Sequence, residues 1–193
     1  FSCVGVLILP FVRVYTYGVT DVNYILPHLA AAITLAEAMY CIRQPYLTLV
    51  YATGSFEETK YGAAIEAIIN IVVSAILVNF LGIEGVVIGT FIANTFRTIQ
   101  FAWFVSKKIL NRSISEIVFR LLWVSLIVVT VVFADFLTKK AVSFEISWIG
   151  WLFEAITVFV ISCTVALFMS FLFYGNDMKE LFRIGLSIIK KRV

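Results

Sequence analysis

Between Ala52 and Arg97 the chain reads ATGSFEETKYGAAIEAIINIVVSAILVNFLGIEGVVIGTFIANTFR: a polar cap, an apolar stretch, a short Gly-bounded turn and a second apolar stretch. Each stretch, wound as a helix, is long enough to cross about 30 Å of hydrocarbon. Glu66, Asn70, Asn94 and Arg97 are set into them. Lipid offers such groups no hydrogen-bond partner, so at that depth they face a bundle interior or a watery path. The hairpin therefore reads as part of a lined interior rather than as a plain anchor.

The rest of the chain obeys the same constraint. Of its 193 residues, 62% are hydrophobic and 14% charged, where a soluble domain has about 45 to 50% apolar residues. The apolar blocks lack strict alternation and run past the roughly 10 residues of a barrel strand. The expected fold class is all-α: a polytopic membrane helix bundle of about six transmembrane helices, the first truncated, followed by a C-terminal amphipathic helix. Residues 1–175 form the expected bundle and 176–193 the tail. Phe1 lies inside an apolar run with no charged lead and no cleavage site, so the sequence reads as a fragment of a longer protein and not as a signal peptide.

Taken in order, a first helix is expected from Phe1 to about Val14, with Pro10 inside it, Arg13 at its end and Tyr15, Tyr17 and Gly18 as an interfacial exit. Asp21 and Asn23 are candidate caps for a long second helix reaching Ala52, in which Glu37, Tyr40 and Gln44 share a stripe near a kink at Pro45. Ser55 and Glu58 have the spacing of a capping box for a third helix to about Phe80. Gly82 to Gly85 forms a turn too short for anything but an antiparallel return from about Val86 to Val105. A basic loop with Lys107, Lys108, Asn111 and Arg112 leads to a second capping-box match, Ser113 to Glu116, and a helix over about 114–136. A polar loop from Thr138 to Glu145 precedes the last span, 146–174, with Trp148 and Trp151 as interface anchors and Glu154 one to two turns inside. In the tail, Lys179, Arg183, Ser187 and Lys190 oppose Met178, Leu181, Phe182, Leu186 and Ile189, as in a helix lying on a membrane surface or on the protein's own loops.

Charge distribution sets the orientation. Lys60, Lys107, Lys108, Arg112, Arg120, Lys179, Arg183, Lys190, Lys191 and Arg192 fall on one face and Lys139 and Lys140 on the other, so the first face is expected to be cytoplasmic, together with the C-terminus, in the cytoplasmic membrane. The net charge of +3 does not point to nucleic acid. Cys3, Cys41, Cys163 and His28 have no metal-ligand spacing, and no Gly-rich phosphate loop or Ser/His/Asp arrangement is present, so neither metal, cofactor nor catalytic residue is expected and an enzyme is the least supported class.

Arg43-Gln44-Pro45-Tyr46, Ala52-Thr53-Gly54 with Glu58-Thr59-Lys60, Glu66-Ala67-Ile68-Ile69-Asn70, Gly82-Ile83-Glu84-Gly85-Val86 and Ile88-Gly89-Thr90 resemble the C-terminal half of polysaccharide flippases, Wzx-type members of the multidrug/oligosaccharidyl-lipid/polysaccharide exporter superfamily. Tyr15-Thr16 with Gly18-Val19-Thr20-Asp21 resembles the end of that family's seventh helix. The likeness covers about Leu9 to Arg120, and beyond that only hydropathy and the basic tail. It implies two facing six-helix bundles that alternate between inward-open and outward-open states and move a lipid-diphosphate-linked glycan across the membrane. Its partners would be that glycan, membrane lipids and a first bundle absent from this sequence, and this chain alone would transport nothing.

A turn centred between Ile83 and Glu84 places Asn70 level with Arg97 and Glu66 about one turn, roughly 5.4 Å, from them, so a Glu66/Arg97 ion pair or shared polar network is expected. Arg97 lies roughly 20 Å from the outer surface, where it either snorkels structurally or docks a diphosphate through its forked donors. Arg43, roughly 16 Å from the near end of its helix, is the deepest basic residue and the preferred substrate contact. Its structural alternative is pairing with Glu37 or with a carbonyl freed at Pro45. Arg13 is a contact nearer the outer end, or a simple snorkelling terminus. Glu37, Gln44, Glu66, Asn70 and Asn94 complete the expected polar lumen, in which Glu37 is a candidate for proton coupling. Basic residues enter the spans at least as often as acidic ones, which favours an anionic substrate over the competing reading of a drug/cation antiporter. The other competitor is a non-transporting membrane partner of an envelope-synthesis complex.

Overall fold

On α3, the helix from Phe56 to Leu81, the residues that point into the protein are Thr59, Gly62, Glu66, Asn70, Ser74 and Leu77, with Ile69 and Val73 half-buried beside them, while Ile65, Ile68, Ile71, Val72, Ile76, Val78 and Phe80 point out. This is a helix turned inside out relative to a soluble protein, where the apolar stripe faces the core. A computed structural model describes residues 1–111, 114–141 and 145–173, with 175, 179, 180, 183 and 184 beyond them. It contains α1 (Ser2–Tyr15), α2 (Pro27–Ala52), α3, α4 (Ile83–Phe104), α5 (Ile114–Ala141) and α6 (Trp148–Phe173). The described residues are all-helical and hold no strand, in keeping with the all-α reading.

By length and composition, α3 and α6 are long and apolar enough to cross a membrane. A soluble protein's core helix passes the same test by being buried, but here the most apolar window of α3 is 0% buried and that of α6 is 11% buried. Their apolar surface is therefore not consumed by the fold. The packed interior is small: Val50, Phe101, Phe104 and Val105, with Tyr46, Leu47, Leu49 and Ile109 against them, where the ends of α2 and α4 meet.

The hub is α4, which packs along both α2 and α3, while α1, α5 and α6 form a second group joined to the first through α1. Its buried face runs Gly85, Gly89, Ala93, Arg97 and Phe101, one residue every four. Small residues in such a row let helices approach closely. A Cβ on Gly85 would strike the Leu77 carbonyl and one on Gly89 the Ser74 backbone, so these glycines set the separation of α3 and α4. Further along, Arg97 needs room, and the bare backbone of Gly62 on α3 gives it. In the second group, Phe11 of α1 meets Trp148 and Trp151 edge-on at 6.1 and 5.4 Å between centroids, and Trp123 of α5 lies against Phe173 of α6. The two tryptophans expected at the interface are thus also the contact of α6 with α1.

Several local expectations change. The α3/α4 connection is Gly82 alone, with φ +58° and ψ −136°, and not a four-residue turn, because α4 winds on at once from Ile83. Asp21 and Asn23 do not cap α2, which begins at Pro27: Asp21 Oδ1 accepts from Val22 N–H and Asn23 Oδ1 from Ile25 N–H within the preceding loop. The Ser55/Glu58 capping box does not form, since Ser55 Oγ pairs with Thr53 Oγ1 and Glu58 is drawn 2.6 Å from Lys108 Nζ. Lys107 and Lys108 belong to a five-residue π turn, Val105–Ile109, that extends α4 where a loop is expected. Helix α5 runs on through Thr138 to Ala141. The Ser113–Glu116 capping box and most of the amphipathic tail lie outside the described residues.

Replacing Gly89 by Val is expected to lower the stability of the α3/α4 pair by about 1–3 kcal/mol through overpacking, and Gly82→Ala by a similar amount, about 1–3 kcal/mol, because that backbone region is essentially reserved for glycine. The midpoint of unfolding in a detergent titration, followed by circular dichroism, checks both; a wild-type midpoint for Gly89→Val would mean the helices are not in close contact there.

Candidate functional site

Three helices deliver one charged residue each to the same point. Arg43 follows the α2 row that buries Ala36 and Val50, seven residues to either side, two full turns along the same face. Glu66 lies on the inward stripe of α3, one turn past Gly62, and Arg97 on the buried row of α4. Arg43 Nη1 donates to Glu66 Oε1 at 2.6 Å, and Arg97 Nε lies 3.5 Å from Glu66 Oε2. One carboxylate thus bridges two guanidiniums.

The two arginines are held differently. Arg97 Nη1 donates to the Thr59 carbonyl at 2.9 Å and to Gln100 Oε1 at 2.6 Å, and its Cζ sits 4.2 Å over the Phe101 ring. Gln100 and Phe101 are one turn along the same helix, so α4 itself clamps the side chain. Gly62 is the space it occupies: a Cβ there would collide with Arg97 and Gln100. Arg43 lies 4.8 Å over the Tyr40 ring, and its buried Nε has no hydrogen-bond partner. The side chains of Arg43 and Arg97 are 10% and 8% exposed and that of Glu66 is 22% exposed, so the cluster opens at the carboxylate.

The expected Glu66/Arg97 pair is therefore found, and Arg43 joins it, which the sequence reading placed elsewhere. Arg43 pairs with Glu66 and not with Glu37, which is exposed on the other side of α2. Asn70 is not level with Arg97. Centring the turn on Gly82 moves its level position about one turn back along α4, and its side chain is taken up there: Thr90 Oγ1 donates to Asn70 Oδ1 at 3.3 Å, and Ser74 Oγ donates to the same oxygen at 3.2 Å. Asn94 Nδ2 donates to the Ala36 carbonyl at 3.0 Å, beside Thr98 Oγ1 donating to the Met39 carbonyl at 2.8 Å, so these two stitch α4 to α2. Gln44 is half-buried on α2, outside the bridge. Arg13 is far from the cluster in the fold's connectivity, lining a separate cavity of about 480 Å³ with Tyr17, Asn23, Tyr24 and Ile146.

Thr59, Gln100 and Gly62 escaped the sequence reading. Their signal was the spacing from Arg97, three residues to Gln100, but only the register of α3 brings Thr59 and Gly62 opposite. Asp135 on α5 and Glu154 on α6 are two further buried acids, each engaged in polar interactions of its own. No group of three or more potential metal ligands occurs among the described residues.

No protein-family model, curated protein or solved structure matches the chain. Fold and site define an all-helical protein with two helices apolar enough to cross a membrane and a buried, net-positive Arg/Glu/Arg cluster between α2, α3 and α4.

Truncating Arg97 to Met leaves Glu66 with Arg43 as its one ion-pair partner and removes the guanidinium's hydrogen bonds to the Thr59 carbonyl and Gln100. The expected loss is about 1.5–3 kcal/mol, on the scale of hydrogen bonds to a charged group, whereas Arg13→Met on its exposed site should cost less than about 0.5 kcal/mol. Unfolding midpoints of the two variants, compared directly, test that ranking.

Proposed function

We infer that the chain is the second six-helix bundle of a flippase that carries a lipid-diphosphate-linked glycan across the cytoplasmic membrane, with its C-terminus on the cytoplasmic side. The observation that carries this reading is the Arg43/Glu66/Arg97 cluster: two guanidiniums against one carboxylate, enclosed by helices whose outward faces are apolar. An uncompensated positive charge in such a place is expensive to maintain as scaffolding, and its forked donors suit phosphate oxygens. The resemblance of the segments around Arg43, Glu66 and Gly82 to polysaccharide flippases supports the same substrate class. Arg13, with Tyr17 and Tyr24 around its cavity, is the contact nearer the opposite end.

Transport in this scheme is alternating access without covalent chemistry. The inward-facing polar stripe of α3 lines the path, and the apolar outer faces of α3 and α6 slide against lipid. Glu37, Tyr40 and Thr48, exposed on α2, face the first bundle across the lumen. A second reading, a cation antiporter of the same superfamily, draws on Asp135 and Glu154, buried acids of the kind a cation site needs.

The test is flipping by the full-length protein in proteoliposomes, with a polyprenyl-diphosphate sugar labelled on the glycan and an impermeant quencher. Arg43→Ala and Arg97→Ala should each slow flipping by about tenfold or more, as loss of a charge-assisted contact implies, and Arg97→Lys should fall between, since an ammonium lacks the fork. Wild-type rates in all three variants would overturn the reading, and loss of activity only in Asp135→Asn and Glu154→Gln would favour the cation reading.

A further inference from the structure

We propose that Glu66 is a resident anion that an oxyanion ligand displaces: its carboxylate holds Arg43 in place and offsets the charge of Arg43 and Arg97 until a phosphate or diphosphate group takes over the two guanidiniums. This rests on the anion-site reading above and specifies how that site is held when empty and how it is filled.

Four features of the cluster converge on exchange at Glu66. Arg97 does not depend on Glu66 for its position, because Thr59, Gln100 and Phe101 already fix it, and its contact with Glu66 is the loosest in the cluster at 3.5 Å. Arg43 Nε is buried and unpartnered while its Nη1 is occupied by Glu66, so a donor stands ready beside the one that would be released. Glu66 is the most exposed of the three side chains, so a ligand arriving from the open side meets the carboxylate first. Finally, a planar carboxylate and a phosphate present equivalent oxygen pairs to a guanidinium, so substitution leaves both arginines in place.

Exchange of this kind solves a problem of release. Two fixed guanidiniums with no counter-ion would hold a diphosphate too tightly for turnover, and like charges in a low-dielectric site repel when the ligand leaves. A tethered carboxylate that returns to the site neutralises one charge and lowers ligand affinity to a useful range. Glu66 is thus a positioning residue acting through the two arginines.

The test uses the protein in phosphatidylcholine nanodiscs, with inorganic pyrophosphate titrated as the soluble probe and phosphatidic acid, added to the nanodisc lipid, as the membrane-borne one. Glu66→Gln removes the competing charge and should tighten binding of at least one probe by about tenfold, the factor corresponding to ~1.4 kcal/mol, and Arg43→Ala in that background should abolish the gain. Tightening confined to pyrophosphate identifies a soluble phosphate ligand, and tightening confined to phosphatidic acid a lipid headgroup. Damage to the fold weakens binding, so a gain separates displacement from a purely structural role. If Glu66→Gln fails to fold, Glu66→Asp carries the test: its shorter arm keeps the charge but loses reach to Arg97, and a smaller gain is expected. Equal or weaker binding in the folded variant overturns the displacement, and if wild-type binding still depends on Arg43 and Arg97 the anion site itself stands. Absence of binding in both wild type and variant overturns the two together.

Discussion

Arg43 and Arg97 bring like charges into one helix interior, and the Glu66 carboxylate between them is what allows α2, α3 and α4 to share it. Taking a guanidinium out of water costs several kcal/mol unless it is paired, so two buried, unpaired arginines would push the helices apart or drag water in. A single bridging carboxylate offsets most of that and leaves one positive charge over. The remaining contacts follow from giving this bridge room: Gly62 clears space for Arg97, and the Thr59 carbonyl and Gln100 satisfy the donors Glu66 does not reach.

The same row of α4 explains why the bridge sits where it does. Gly85, Gly89 and Ala93 bring α3 and α4 into backbone contact near Gly82, where only small polar groups fit, and there Asn70, Ser74 and Thr90 share hydrogen bonds. Beyond Ala93 the side chains enlarge, and Gly62 on α3 leaves the space in which Arg97 meets Glu66 and Arg43. Asn94 and Thr98, bonded to carbonyls of α2, hold the third wall at that level. A small-residue end and a charged end are thus written into one face of one helix.

Much of this was legible in the residues. The all-α class, the order of the helices, the antiparallel hairpin and the choice of Arg43, Glu66 and Arg97 as interior charges came from hydropathy and from the placement of polar groups in apolar runs. Capping was not legible: Ser55 and Glu58 have the right spacing for a box, but Lys108, fifty residues away, competes for Glu58 and the box is lost. Nor was the end of α4, because Lys107 and Lys108 look like loop residues and the π turn that retains them depends on Val105 and Ile109 packing against the core.

Sequence alone showed which helices carry Arg43, Glu66, Asn70, Asn94 and Arg97 inside apolar runs, where buried polar groups must find partners. Which groups meet was decided by tertiary structure. The step from a four-residue turn to the single residue Gly82 slides α4 along α3, and each residue of slip moves a side chain by about 1.5 Å and turns it by about 100°. That slip of about three residues takes Asn70 out of level with Arg97, and its side-chain oxygen bonds Thr90 and Ser74 instead. The crossing of α2, invisible in the local sequence, then brings Arg43 to the far side of Glu66 and turns an expected ion pair into a bridge.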